Sequence, residues 1–378
     1  MNNKMKLVIA PDSFKESISA YGACEAIKRG ILEVMPAANV ICKPIADGGE
    51  GTLDALMPSD QQIWLSVTGP SFKPVTARYG NIGDIAIIEM ASAAGLMLVS
   101  ESEKKAGAAT TYGVGEIIRD AVSKGYKKIM LTVGGSATND GGCGMLAALG
   151  ARFTDVNGKE FIPTGYTLNN ISAIDLSGVF KEILDCEFII ATDVKNPLLG
   201  NSGATYVYAT QKGAQAEELP KMEAGMKHYA ELLKSLSGRD VAEINGCGAG
   251  GGLSAPLLAF FNARIQSGID TVLDITDFDS ALLGADAVIT GEGKIDSQSL
   301  YGKAISGVAK RANAAKTPVY CFVGCIGDDP NKLKAMGIAD IFDILSLADS
   351  SDDAMKNADK YLYSMARTFA LNASKNKE

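Results

Sequence analysis

Five loops of acidic and hydroxyl residues, most of them rich in glycine, constrain the fold of this chain more than any other feature of its sequence. Nearly all of them follow a short apolar run directly. Glycine lets a backbone turn tightly or approach a ligand, and free amides in such turns bind anions. Carboxylates beside them suit Mg²⁺, which prefers oxygen ligands and substrate phosphates. The pattern predicts strands that end in ligand-binding loops. The loops are residues 47–52, 134–142, 193–197, 246–252 and 291–296.

Strand-like and helix-like segments alternate between these loops. A strand at 7–10 is followed by a helix at 19–35, which has Ser19 as its N-cap and an apolar residue at every fourth position. A second strand follows at 40–45, and such a βαβ unit predicts a parallel sheet with right-handed crossovers. Further strands are expected at 85–89, 129–133, 188–191, 205–208, 287–290, 319–323 and 341–345. Further helices are expected at 145–149, 216–236, 253–261, 303–314, 332–336 and 353–371.

We therefore predict an α/β fold of two domains. A Rossmann-like parallel-sheet domain is expected from both chain ends, residues 1–67 and 286–378. A mixed α/β domain, residues 68–285, is expected as an insertion. Ligand sites favour domain interfaces, so the active site is expected in the cleft between the two.

Composition and charge narrow the class of protein. The net charge of −8 and the pI near 5.0 argue against a nucleic-acid binder. The apolar run at 7–10 is too short for a signal peptide, and no apolar stretch approaches the ~18 residues of a membrane span. We therefore expect a cytoplasmic protein, monomeric or homodimeric. The seven cysteines lack zinc or redox spacing, which indicates reduced core thiols.

The single histidine argues against several enzyme classes. His228 lies in a predicted helix among charged residues, where we expect it to be solvated. Hydrolases with a Ser-His-acid or Cys-His pair need a histidine beside other catalytic groups. A carboxylate is the expected general base, and phosphoryl transfer fits because it relies on positioning and electrostatic stabilisation.

Two loops near the N-terminus are candidate substrate sites. Asp12 and Lys15 follow the first strand, where Asp12 can bind metal or substrate and Lys15 can neutralise a phosphate; a turn with a capping aspartate is the alternative. Loop 47–52 precedes a short helix. Its amides can bind an anion, or Asp47 and Glu50 can accept hydrogen bonds from substrate hydroxyls; a capped helix start is the alternative.

Loop 134–142 carries the strongest signal. It joins an apolar strand to an apolar helix and holds Ser136, Thr138, Asn139 and Asp140 between glycine pairs, as a phosphate cradle does. It is not a Walker A loop, because no G-x-x-x-x-G-K-[ST] occurs in the chain. Residues 246–251 match G-x-G-x-x-G without a clear preceding strand, which argues against a dinucleotide site.

Two further strand ends carry acids. Asp193 is a candidate base or metal ligand, with a turn-forming side chain as the alternative. In segment 290–302, Glu292 or Asp296 can hold Mg²⁺, and Lys303 directly after it can contact a phosphate.

Taken together, these segments are similar to the bacterial glycerate kinase type 1 family. The resemblance runs in order from residue 6 to about residue 369. Its departures are Glu16, where the family usually has glycine, and Cys143, where a small residue is common. The matching stretches are residues 11–15, 46–52, 134–142, 192–194, 196–198, 248–250 and 290–293, with Asp296, Gln298, Gly302 and Lys303.

The resemblance implies ATP-dependent phosphorylation of D-glycerate, commonly to 2-phosphoglycerate, in glyoxylate or sugar-acid breakdown. Lys15 is then expected to stabilise the transferring group, and Asp193 or Asp296 to accept or orient the hydroxyl proton. Mg²⁺ is expected on some of Asp140, Asp193 and Glu292. The expected substrate-binding residues are Asp12, Ser13, Asp47, Gly48, Gly49 and Glu50. The expected ATP-binding residues are Gly134, Gly135, Ser136, Thr138, Asn139, Gly141, Gly142, Gly291, Gly293 and Lys303.

Two other functions stay open at this point. One is a dehydrogenase that uses loop 246–252, and the other is a nucleotide-binding regulator without catalysis. The full set of acids argues against the regulator. The sequence leaves open which hydroxyl of the substrate is phosphorylated.

Overall fold

The structure, a computed structural model, describes residues 4–295, 304–327 and 337–375. Its strands are β1 (Lys6–Pro11), β2 (Asn39–Cys42), β3 (Ile63–Thr68), β4 (Pro74–Ile82), β5 (Ile85–Glu89), β6 (Lys128–Thr132), β7 (Arg152–Thr154), β8 (Glu160–Phe161), β9 (Ala173–Asp175), β10 (Glu187–Ala191), β11 (Asn262–Gln266), β12 (Ala287–Gly291), β13 (Lys294–Ile295), β14 (Val319–Val323), β15 (Cys325–Ile326) and β16 (Ile338–Asp343).

The helices of the described residues are α1 (Ala20–Val34), α2 (Thr52–Leu56), α3 (Ala91–Ala94), α4 (Tyr112–Ser123), α5 (Cys143–Ala148), α6 (Ala204–Tyr208), α7 (Leu219–Ser237), α8 (Ser254–Phe260), α9 (Gly268–Ile275), α10 (Phe278–Leu282), α11 (Ala304–Ala314), α12 (Ser351–Lys356) and α13 (Ala358–Lys375). Short 3₁₀ turns include Lys181–Asp185 and Thr210–Lys212. The expected helix at 332–336 lies outside the described residues. In the part of the chain that the structure describes, no helix is long and apolar enough to cross a membrane.

The chain divides into two compact units. The first unit consists of residues 1–60 and 268–378, and the second of residues 61–267. Strand β3 groups with the second unit, and helices α9 and α10 group with the first, so the junctions of these units differ from those expected at 67–68 and 285–286. The division of the chain into domains stays a prediction.

The first unit is built on a fully parallel sheet. Its strand order is β16-β14-β12-β1-β2. Strand β12 is buried along its whole length, as expected for a parallel strand covered on both faces. From β1 the chain continues to β2 on one side, and the later strands β12, β14 and β16 are added on the other side, so the strand order reverses between β1 and β12. Ligands of such sheets bind outside the carboxyl ends of the strands at this point.

Helix α1 shows how the sequence forms the first unit. The Ser19 hydroxyl accepts a hydrogen bond from the Gly22 N–H at 3.1 Å and caps the helix, as predicted. Its buried face, including Ile27 and Ile31, joins the core beside the sheet. Gly30 allows close contact with α13, because a Cβ there would lie 2.3 Å from the Tyr363 carbonyl oxygen.

The second unit contains a mixed sheet of order β11-β10-β6-β5-β4-β3. The four strands β11, β10, β6 and β5 are parallel to one another. At one edge of the sheet, β4 is antiparallel to β5, and β3 is antiparallel to β4. A small antiparallel sheet, β8-β7-β9, belongs to the same unit. The prediction of an α/β fold that combines a parallel-sheet part with a mixed α/β part is confirmed, and the sheet of the second part is itself mixed.

Four local predictions need correction. Segment 205–208 is helix α6, not a strand, despite its aromatic and β-branched residues; Thr205 faces the interior, and its hydroxyl accepts a hydrogen bond from the Asn139 side chain at 3.2 Å. The last helix is divided at Asn357 into α12 and α13. Strand β16 begins three residues before the expected 341. His228 is half-buried, and its Nε2 lies 2.7 Å from the Ile171 carbonyl oxygen.

Candidate active site

A pocket of about 510 Å³ lies at the carboxyl ends of β1, β12 and β14 in the first unit. Ile344, Leu345 and Met355 form part of an apolar wall. Such a combination of apolar wall and few convergent polar groups is typical of small-molecule sites. The charged and hydroxyl side chains in the lining include Asp12, Ser13, Lys15, Asp47, Glu292 and Lys294.

Strand pairing brings Asp12 and Glu292 together. Pro11 pairs with Gly291 across β1 and β12, so Asp12 and Glu292 follow adjacent strands at the same edge. The Asp12 N–H donates to the Gly291 carbonyl at 2.8 Å and continues this pairing. Gly291 is itself packed under β14, because a Cβ there would lie 1.8 Å from the Phe322 carbonyl oxygen. Gly291 therefore shapes the strand end, and Gly293 lines the pocket.

Asp12 is electrostatically perturbed in this pocket. Burial raises the pKa of its carboxyl group from 3.8 to about 7, and the charges of Asp47 and Glu292 act in the same direction. The Ser13 N–H donates to Asp12 Oδ1 at 2.6 Å and opposes the rise in pKa. A carboxyl group that titrates near neutral pH in a pocket is a candidate acid or base.

The substrate loop 47–52 contributes one of its predicted residues to the lining. Asp47 Oδ1 accepts a hydrogen bond from the Gly49 N–H at 2.9 Å, which uses that amide within the loop. Gly48 is buried against α9, and a Cβ on it would lie 2.3 Å from the Gly268 Cα. Glu50 is exposed. Among the described residues, Gly48, Gly49 and Glu50 lie outside the pocket lining.

Lys15 lies in a tight turn that follows Asp12. Phe14 forms an isolated bridge with Ile18, and Glu16 between them has a φ of 61°. The turn leaves Lys15 exposed at the pocket. Glu16 therefore adopts a left-handed backbone conformation, which glycine adopts most readily.

Loop 134–142 of the second unit has an exposed start and a buried remainder. Gly134 and Gly135 are exposed, whereas Ser136 and Thr138 are buried. Gly141 and its neighbour Gly142 are packed against side chains and backbone of α7 and α8. A ligand at this loop would therefore meet the turn at Gly134 and Gly135 first.

Asp140 organises this loop. Its carboxylate accepts hydrogen bonds from the Thr111 N–H and hydroxyl, both at 2.8 Å, from the Gly142 N–H at 3.1 Å and from the Gly144 N–H at 3.2 Å. The side chain is fully buried. Burial raises the pKa of its carboxyl group, although each of the four hydrogen bonds lowers it. This geometry supports a structural role, and the predicted role in metal binding stays untested.

Loop 246–252 packs on loop 134–142. The Gly141 N–H donates to the Gly251 carbonyl at 3.0 Å, and a Cβ on Gly251 would lie 2.1 Å from the Thr138 carbonyl oxygen. Gly250, Gly251 and Gly252 all have positive φ angles. The glycines of this loop are explained by close packing.

The remaining predicted residues belong to both units. Asp193 is exposed two residues after the end of β10 in the second unit, and Glu292 lines the first unit's pocket. Within the described residues, no group of three Asp, Glu, His or Cys side chains is placed to hold a metal ion. Asp296 and Lys303 lie outside the described residues.

Lys212 is a buried charged residue that the sequence analysis did not single out. Its Nζ donates to Ser136 Oγ at 2.6 Å and to the Thr138 carbonyl at 2.8 Å. It follows Gln211 in a polar segment, and no local pattern distinguishes it from a surface lysine. Only the tertiary structure reveals its burial.

Comparisons with known proteins agree over the whole chain. The model of the glycerate kinase family matches residues 7–373. A glycerate kinase of Bacillus subtilis is 43% identical over 370 residues, which cover 97% of each chain. A glycerate 2-kinase of Escherichia coli is 41% identical over 360 residues, 94% of each chain. The crystal structure of a protein named glycerate kinase 2 from Salmonella typhimurium superimposes with a TM-score of 0.89 at 40% identity, covering 99% of this chain and 100% of that one.

Proposed function

This chain belongs to the glycerate kinase family and is therefore a kinase, and we propose that it transfers the γ-phosphoryl group of ATP to the C2 hydroxyl of D-glycerate. The product is then 2-phosphoglycerate, formed in the breakdown of glyoxylate or sugar acids. The relative named glycerate 2-kinase supports this choice of hydroxyl. The cytoplasmic location and the monomeric or dimeric state stay predictions.

The observation that carries this proposal is the pocket of the first unit. It combines Asp12, Asp47 and Glu292 with Lys15 and Lys294 at the end of a parallel sheet. D-Glycerate has one carboxylate and two hydroxyls. We assign its carboxylate to the lysine charges and its hydroxyls to Ser13, Asp47 and Asp12.

Charge stabilisation and proton transfer need separate groups. Lys15 is exposed at the pocket, and its cation can stabilise the charge on the transferring phosphoryl group. Asp193 and Asp296 were the sequence-based candidates for the base. Asp12 becomes a third candidate because its pKa of about 7 suits a base at neutral pH.

We place the phosphates of ATP at the exposed Gly134–Gly135 turn, a narrower site than the whole loop. In kinases, Mg²⁺ is usually bound through one or two carboxylates and the phosphates of the nucleotide. This mode of binding does not need a cluster of three protein ligands, and the described residues contain none. Glu292 and Asp193 are the carboxylates we retain for this role. Bound Mg²⁺ would neutralise charge on the phosphates.

The test is ³¹P NMR of the purified protein with Mg-ATP and D-glycerate. We expect the ATP signals to decline and a phosphomonoester coupled to the C2 proton to appear. A phosphomonoester on C3 would overturn the choice of hydroxyl and leave the kinase assignment intact. Unchanged ATP after hours with folded protein would overturn glycerate as the substrate, with other small hydroxy acids as the next candidates.

A further inference from the structure

We propose that Lys212 is a positioning residue for nucleotide binding, which holds loop 134–142 from behind through Ser136 and Thr138. The inference rests on the proposed binding of ATP phosphates at the start of this loop. It goes beyond that proposal, because Lys212 lies outside the loop in sequence and its ammonium group is buried.

The contacts of Lys212 fix two points of the loop. Its Nζ donates to Ser136 Oγ at 2.6 Å and to the Thr138 carbonyl at 2.8 Å, while its own carbonyl accepts from the Ala106 N–H at 3.0 Å. The side chain is 3% exposed. Lys212 therefore connects the 3₁₀ turn Thr210–Lys212 to the loop from inside the second unit.

The polar groups of the loop behind the exposed turn are only partly paired. Since Ser136 Oγ accepts from Lys212, the hydroxyl hydrogen of Ser136 can donate to another acceptor. Thr138 Oγ1 and Asn139 Oδ1 are buried without a hydrogen-bond partner among the described residues. A buried polar group without a partner costs free energy, so the segment that Lys212 holds is incompletely satisfied without a ligand.

The charge of Lys212 is poorly compensated. Burial lowers its pKa from 10.5 to about 7, and Asp140 on the loop is the charged side chain that opposes this effect. On the neighbouring segment, Lys104 pairs with Glu101 at 2.5 Å, and Lys105 is exposed. At the start of α7, Glu218 accepts a hydrogen bond from the Tyr166 hydroxyl at 2.6 Å.

An anion bound at the loop would favour the charged form of Lys212. By linkage, nucleotide binding near pH 7 should then be accompanied by proton uptake, because the pKa of Lys212 lies near 7 in the free protein. Affinity for the nucleotide should fall as the pH rises through 7. A purely structural lysine would not couple its proton to the nucleotide.

The test compares the wild-type protein with Lys212→Met, which keeps the apolar stem and removes the charge. Mg-ATP binding is measured by calorimetry without glycerate, from pH 6 to pH 8.5, in buffers of different ionisation enthalpy. We expect at least tenfold weaker binding at pH 6.5 and loss of the additional proton uptake. The KM for ATP should rise, with the KM for glycerate within twofold. The control is Lys159→Met, an exposed lysine in the turn between β7 and β8.

Each outcome decides the inference. Wild-type affinity and proton uptake in folded Lys212→Met would overturn it while the kinase activity of the wild-type protein stands. No Mg-ATP binding by the wild-type protein would overturn the proposed nucleotide site itself. If Lys212→Met does not fold, Ser136→Ala replaces it: at least threefold weaker binding with a flatter pH dependence supports the inference, and an unchanged affinity overturns it.

Discussion

Ala191 pairs with Thr132 across the parallel strands β10 and β6. Asp193 and Gly134 each follow one of these residues by two positions, so both lie in loops at the carboxyl ends of neighbouring strands in the second unit's sheet. The first unit has a corresponding arrangement, in which Pro11 pairs with Gly291. In both sheets, parallel pairing gathers polar loops at the carboxyl ends of the strands. Loops distant in the sequence thereby become neighbours.

Asp193→Asn is expected to lower kcat by about 10²-fold if Asp193 is the general base, because the amide cannot accept the hydroxyl proton. Steady-state kinetics with D-glycerate and Mg-ATP measure the effect. The matched control is Asp185→Asn, since Asp185 is exposed just before the amino end of the same strand. A kcat near the wild-type value in Asp193→Asn would remove this residue from the role and leave Asp12 and Asp296 as candidates.

Asp12 is expected to shape the pH dependence of catalysis. With a pKa of about 7 in the free protein, its carboxyl group loses its proton near neutral pH. The kcat/KM for glycerate should therefore rise with pH through an apparent pKa near 7 if Asp12 acts as the base. Asp12→Asn should remove this limb and lower kcat/KM at pH 8 by about 10²-fold. An unchanged pH profile in Asp12→Asn would exclude a role for its titration.

The same residue predicts a pH dependence of stability. The folded-state pKa of Asp12 lies above its ordinary value of 3.8, so its contribution to stability is fully present below pH 3.8 and is lost as the pH rises through 7. Asp12→Asn, which imitates the neutral form, should therefore be the more stable protein at pH 8, by a few kcal/mol at most. Urea unfolding at pH 5 and pH 8 measures the difference. A larger gain at pH 5 than at pH 8 would contradict the argument.

Lys15→Met is expected to lower kcat by about 10²- to 10³-fold, in the range seen when one group that stabilises transition-state charge is removed. The KM for ATP should change less, because the proposed contact strengthens during transfer. Lys15→Arg keeps the charge and should recover part of the activity. Lys310→Met, an exposed position on α11, serves as the control. Equal losses of activity in Lys15→Met and Lys310→Met would contradict a specific role.

Local patterns were sufficient to predict most of the fold. The apolar run of β12 and the Ser19 cap of α1 are each determined by a few adjacent residues, and both are confirmed. Segment 205–208 was misjudged because β-branched and aromatic residues favour strands only when their surroundings do. There, the inward-facing Thr205 meets Asn139, a contact that propensity does not contain.

The candidate site was predictable to a smaller extent. Polar residues after apolar strands pointed to Asp12, Asp47 and Glu292, which do line one pocket. Burial was not predictable from the same pattern: Asp140 was a candidate metal ligand, and its four hydrogen bonds come from partners up to 29 residues away. Lys212 was missed for the same reason, since its partners precede it by 76 and 74 residues.

Gly48→Ala is expected to destabilise the protein by about 3 kcal/mol or more. Gly48 has a φ of 80°, which costs other residues about 1–2 kcal/mol, and its new Cβ would lie 2.3 Å from the Gly268 Cα. Gly51→Ala is the matched control, because Gly51 has a φ of 90° with nothing within 4 Å of the added Cβ. It should cost only about 1–2 kcal/mol. Urea unfolding of both variants gives the comparison, and equal losses would mean that the approach of Gly268 has no effect.

Glu16→Gly is expected to stabilise the protein by roughly 0.5–1 kcal/mol. Glu16 is exposed with a φ of 61°, and relief of this left-handed strain exceeds the greater chain entropy that glycine adds to the unfolded state. Lys316→Gly offers an independent second site, since Lys316 is also exposed with a φ of 58°. Urea unfolding should give a higher midpoint for each variant. A lower midpoint in both would show that these turns are not strained, and a gain only at Lys316 would indicate that the Glu16 carboxylate stabilises the turn beside Lys15.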